Sequence, residues 1–259
     1  MDKTPLTVQE MFRRALLAQV EMGMGEMIVG KENRRVEEPS EILKSSWAKP
    51  SLPVTDLFGG ASTVTLGAPA DFASVPAHYD AICTCQLCPL GQTRNKFVYG
   101  VGNIDADLMF IGEAPGRDED LQGEPFVGRA GQLLDRILTA MGLSRQEVYI
   151  ANILKCRPPE NRDPLPEEVD KCLPHLHEQI RLIRPMLLCS LGRIAAQFLM
   201  KTSAPLSKMR GKWHDVEGVP MLVTYHPAAL LRFPGYKKDT WEDMQVLKQR
   251  YDELKAQKR

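Results

Sequence analysis

From Leu108 to Leu134 the sequence LMFIGEAPGRDEDLQGEPFVGRAGQLL runs from an apolar segment, through a loop rich in glycine and proline, into an amphipathic segment. A continuous apolar run such as LMFI suits a strand buried on both faces. An apolar stripe at Leu133, Leu134, Ile137 and Leu138 suits a helix covering one of those faces. The same alternation recurs. Strand-like runs fall at 148–154, 186–191 and 219–225, and helix-like runs at 131–141, 166–183, 192–200 and 240–256, with a kink expected at Pro174. Strands alternating with helices predict an α/β fold: three α/β/α layers around a central, mostly parallel four-stranded sheet. Such sheets bind ligands beyond the carboxyl ends of their strands. Gly112 and Glu113, Asn152 and His226 each stand at or just past such an end, so they are expected to converge.

Before this region the texture differs. Residues 7–29 show helical spacing at Met11, Ala15, Leu16 and Val20, while 31–76 lose periodicity and carry Pro39, Pro50, Pro53, Pro69 and Pro76. The expected organisation is an N-terminal helix and flexible linker over 1–76, then one α/β domain over 77–259. No apolar run approaches the roughly 18 residues of a membrane span, and MDKTPLTVQEMFRR lacks the order of a signal peptide, which predicts a soluble cytoplasmic monomer. The 33 basic and 33 acidic residues cancel overall. Residues 201–259, however, hold 12 basic against 7 acidic residues, a surplus that a polyanion can use or that a solvated helix face can absorb equally well.

Six cysteines occur, at 83, 85, 88, 156, 172 and 189. A cytoplasmic chain does not use an even cysteine count for disulfides, so a metal is the better reading. Cys85 and Cys88 form a tight x2 pair that Cys156 and Cys172 complete as four thiolates. Spacing alone leaves zinc and a [4Fe-4S] cluster both open. Cys189, within MLLCSL, reads as an inert core residue, and Cys83 as an alternative to Cys85.

The segments CQLC, GEAPGRDEDLQGEPFVGRAG, KCRPPENRDP and YHPAALLR resemble, in this order, the family 4 uracil-DNA glycosylases, the iron-sulfur members of their superfamily. The resemblance covers about 80–257. It implies a monofunctional DNA repair enzyme that flips uracil out of single- or double-stranded DNA, hydrolyses its N-glycosidic bond and leaves an abasic site. It also implies a [4Fe-4S] cluster on Cys85, Cys88, Cys156 and Cys172. In that frame Phe126 stacks on the flipped base and the Asn152 amide reads its Watson–Crick edge. His226 donates to O2 of the departing uracil, helped by loop amides from Gly112 to Ala114, and Glu113 orients water or faces the cationic sugar. DNA contacts fall to Pro227 and the small residues after it, to Leu230 or Leu231 as a wedge, and to Arg232, with Lys208, Arg210 and Lys212 extending the patch. KCRPPENRDP holds no histidine, unlike the loop of a relative that binds uracil covalently. Two alternatives are a glycosylase of broader deaminated-base specificity and a non-catalytic iron-sulfur module that binds damaged DNA.

Overall fold

The computed structural model describes residues 72–258. The expected helix at 7–29 and most of the expected linker lie outside the described residues. The first helices are α1 (Val75–Ile82), capped by the Ser74 hydroxyl, and α2 (Leu90–Thr93). Strand β1 (Val101–Gly102) precedes β2 (Leu108–Gly112), and two helices follow, α3 (Arg117–Gln122) and α4 (Arg129–Ala140). Next come β3 (Tyr149–Asn152), α5 (Pro166–Ile183), β4 (Leu187–Leu191) and α6 (Arg193–Leu199). The chain continues through α7 (Leu206–Met209), β5 (Trp213–Val216), β6 (Val219–Thr224), α8 (Pro227–Arg232) and α9 (Tyr236–Gln257).

The sheet has six strands in the order β1-β3-β2-β4-β6-β5. Its centre, β3-β2-β4-β6, is parallel and consists of the four expected strands. The sequence expectation falls short at the two edges, where β1 and β5 pair antiparallel with β3 and β6. β5 joins β6 through Glu217 and Gly218, both at positive φ, which is the two-residue turn whose twist matches a hairpin.

Side chains of the central strands alternate between two cores. Met109, Ile111, Ala151, Leu188 and Val223 pack with α1, α5 and α6 on one face. Leu108, Phe110, Ile150, Leu187 and Leu222 pack with α4 and α9 on the other. The stripe Leu133, Leu134, Ile137 and Leu138 is buried as its spacing predicts, and α9 buries Trp241, Met244, Leu247 and Tyr251 at helical intervals. Each such side chain contributes about 1.5–3 kcal/mol of burial, so two cores back a rigid sheet. The order reverses around β2, whose chain successors lie on opposite sides of it, and this opens a crevice at the carboxyl ends.

Candidate active site

Gly112 ends β2 and Asn152 ends β3, and the two are paired in register. A Cβ on Gly112 would stand 2.6 Å from Cζ of Phe126 and closer still to Oδ1 of Asn152. Only glycine lets these two side chains meet across the strand end. Phe126 is buried at 5 % exposure and has φ +55°, a conformation that costs a non-glycine residue about 1–3 kcal/mol. The loop holds it there from both sides. Glu119 of α3 accepts from the amides of Gly116 (3.1 Å), Val127 and Gly128 (both 2.9 Å). Arg145 donates to the carbonyls of Pro125 (2.7 Å) and Phe126 (3.0 Å) while paired with Asp135. Part of the acidic RDED run therefore organises the loop.

His226 follows β6 and caps α8. Its Nδ1 accepts from the amide of Ala228 at 3.1 Å, which leaves the proton on Nε2 as a free donor. Burial, then Arg232, lowers its pKa to about 4, so the ring is neutral at pH 7. Its centroid stands 5.4 Å from that of Phe126. Gly192, at φ +98°, follows β4 and starts α6, and a Cβ there would lie 3.0 Å from Cβ of His226. Burial, reinforced by Asp163 and opposed by Arg193 and Arg232, raises the Glu113 pKa to about 7.

These groups share one cavity of about 380 Å³, with Glu113, Ala114, Phe126, Asn152, His226 and Arg232 among its lining residues. Inside it the buried Oδ1 of Asn152 has no hydrogen-bond partner. An unmet buried acceptor costs about 1–3 kcal/mol, which a ligand carrying an N–H removes. The chain matches the family model of the Uracil DNA glycosylase superfamily over residues 99–245. It belongs to that superfamily, in the type-4 branch. The type-4 uracil-DNA glycosylase of Archaeoglobus fulgidus is 48% identical over 174 residues, 64% of this chain and 87% of that one. Those of Saccharolobus solfataricus and Thermotoga maritima are 45% and 44% identical, over 66% and 57% of this chain and 83% and 78% of theirs.

Glu113, Asn152 and His226 converge as their places at the strand ends predict, with Ala114 and Phe126 in the same cavity and Gly112 behind them. The DNA-facing set divides. Leu230 is 1% exposed and packs into the core shared with α4, so it cannot wedge into a base stack; Leu231 is 36% exposed. Pro227 is buried at the first turn of α8, where a missing N–H costs nothing, and it starts the helix instead of meeting DNA. Arg232 is exposed at the cavity rim. Arg210 is taken up by Asp243 (2.8 Å) and Asp239 (3.6 Å), which removes it from any phosphate-facing patch, whereas Lys208 and Lys212 are exposed.

Behind the pocket, Cys156 and Cys172 lie where Cys88 acts electrostatically on both, and Cys85 on Cys156. Arg94 ties the group together, donating to Cys156 Sγ (3.1 Å) and to the carbonyls of Cys85 (2.6 Å) and Cys83 (3.1 Å). The Cys83 thiol instead turns back to the Asp80 carbonyl, and Cys189 is fully buried in β4. Among the described residues no three His, Cys, Asp or Glu side chains close on a single ion. Four thiols brought to one place are a donor set that zinc and a four-iron cluster both accept. Among the described residues no helix is long and apolar enough to cross a membrane.

Sequence reasoning missed Glu119, Arg145, Gly192 and the wall formed by Asn161, Arg162 and Asp163. For Glu119 a signal existed. Three acids just after Gly116 and a glycine at 123 mark a short helix with acids at its positive end. Arg145 and Gly192 left no comparable mark, because each acts through tertiary proximity.

Proposed function

We propose that this chain removes uracil from DNA by hydrolysing the bond between N1 and C1′, leaving an abasic site. The observation that carries the reading is the unpartnered Oδ1 of Asn152 beside Phe126 and His226 in one cavity. Uracil offers an N3–H donor and an O4 acceptor, which suit the oxygen and nitrogen of one amide. Cytosine presents the reverse at both atoms and would leave buried groups unpaired. Phe126 supplies a wall for the flipped ring, and Leu231 with Arg232 hold the strand from which it came.

As the bond breaks, its electron pair goes to uracil and positive charge grows on the sugar. The Nε2–H of His226 donates to O2 of the leaving anion. A neutral imidazole stabilises that charge by a hydrogen bond without having to give up a proton. Glu113, as a carboxylate, faces the cationic sugar and orients the attacking water. Cys85, Cys88, Cys156 and Cys172 would hold a [4Fe-4S] cluster that, when bound, supplies a covalent staple between the α1–α2 segment, the loop after β3 and α5.

Incubation of a uracil-containing oligonucleotide with pure, iron-loaded protein, then alkali, tests the reading. Strand cleavage at uracil is expected; binding without any alkali-labile site would leave only the damage-binding alternative. The pH profile is specific as well. With Glu113 near pKa 7, its active carboxylate form is lost as pH falls through 7, while His226 stays neutral down to about 4. Single-turnover kcat/KM should therefore fall about tenfold per unit below pH 7. Glu113→Gln should be slower by on the order of 10²-fold and flat over that range. A wild-type profile level from pH 5 to 8 would remove the carboxylate from the reaction.

A further inference from the structure

Lys155 is the only buried lysine or arginine among the described residues, with no exposed surface at all. An isolated ammonium in such a place is costly, so its partners say what it is kept for. Nζ donates to the backbone carbonyl of Asn152 at 2.8 Å and to Oε1 of Gln179 at 2.5 Å. It also lies 5.9 Å from the centroid of the Tyr99 ring. Gln179 is oriented in turn by donating to the Tyr99 carbonyl (3.0 Å) and the Tyr149 hydroxyl (3.3 Å). The lysine's own amide donates to Cys172 Sγ at 3.3 Å.

The bond to Asn152 falls where β3 ends. Beyond it, the amides of Ile153 and Leu154 still reach back to the carbonyls of Gly112 and Glu113, both at 3.0 Å. The carbonyl of Asn152 thus receives a charged donor at the point where the regular strand stops, three residues back from the lysine. A charge-assisted bond is about twice as strong as a neutral one and fixes the peptide that carries the reading amide. By pairing, the same segment also holds Gly112 and Glu113.

We propose that Lys155 is a positioning residue for base recognition: clamped between Gln179 and the Asn152 carbonyl, it holds the Asn152 amide at the angle that reads uracil. This rests on the uracil-excising reading above. It predicts that loss of the ammonium weakens recognition of the base and spares recognition of the DNA backbone.

The test compares Lys155→Met with wild type in iron content and in affinity for two oligonucleotides, one carrying 2′-fluoro-2′-deoxyuridine, which resists cleavage, and one carrying an abasic tetrahydrofuran. With iron unchanged, affinity for the fluorouridine strand should fall about 10- to 100-fold. Affinity for the abasic strand should stay within about twofold, and KM on uracil DNA should rise more than kcat falls. Equal losses on both strands, no loss on either, or loss of iron would overturn the proposal; the last would assign the ammonium to the cysteines. If Lys155→Met does not fold, Gln179→Leu serves in its place, with a selective loss of about 3- to 10-fold expected. An absent or unselective effect there overturns the proposal equally. Wild-type failure to cleave uracil DNA would sink the functional reading itself, so the two failures are separable.

Discussion

Replacement of His226 by alanine should lower the single-turnover rate of uracil release by about 10²- to 10³-fold, the cost of removing one donor to a developing anion. The ring does two jobs, and alanine removes both. The ring lines the cavity with its Nε2–H left as a donor, while Nδ1 accepts the Ala228 amide and caps α8. Loss of a cap costs about 1 kcal/mol of stability, which displaces Arg232 and Leu231 along with the helix. His226→Asn separates the effects, since asparagine is among the best capping residues but is too short to replace the Nε2 donor. The asparagine variant should melt near the wild-type temperature and still be slow. If it excises uracil at the wild-type rate, His226 holds the helix and takes no part in the chemistry. The defect relative to wild type should be the same across pH 6 to 8, because burial keeps the wild-type imidazole neutral far below that range.

Those two jobs also show what a sequence does and does not disclose. YHPAALLR places a histidine before a proline at the end of an apolar run, which marks a strand end and a helix start. The choice of ring nitrogen depends on the Ala228 amide, and a residue pattern carries no such information. The central strands were legible because each is a short continuous apolar run, and the pocket residues because they stand where those runs stop. β5 was hidden: WHDV mixes polar with apolar residues, as an edge strand paired on one side can. The Glu217–Gly218 turn beside it was a readable sign of a hairpin. β1 is two residues long, too short to have a period. Leu230 and Leu231 were indistinguishable by type, and only the way α8 packs buries one and exposes the other. Spacing singles out four cysteines as candidates, but Arg94, which gathers Cys83, Cys85 and Cys156, stands among unremarkable loop residues.

Cys172→Ser should remove both stoichiometric iron and the visible sulfur-to-iron absorbance. Cys172 is 8% exposed, and burial raises its thiol pKa to about 12 against the pull of Lys155. Without a metal it is therefore a neutral thiol, and iron must displace its proton. A serine hydroxyl is a harder and less acidic ligand and does not take that place. Structural metals contribute on the order of 10 kcal/mol to the segments they tie, comparable to the whole net stability of a domain. Here the sheet has two hydrophobic cores of its own, so loss of the cluster should not unfold it. The change should fall on residues 83–94, whose other ties include three hydrogen bonds from Arg94, and on the loop after Cys156 that forms the far wall of the cavity. Limited proteolysis should therefore cut 83–94 first while circular dichroism retains its α/β character, and uracil release should fall at least 10²-fold as that wall loosens. Cys83→Ser is the matched control, because its thiol turns to the Asp80 carbonyl: it should keep iron, absorbance and rate. Iron loss in Cys83→Ser with retention in Cys172→Ser would reverse the ligand assignment, and native protein that carried zinc would end the cluster reading.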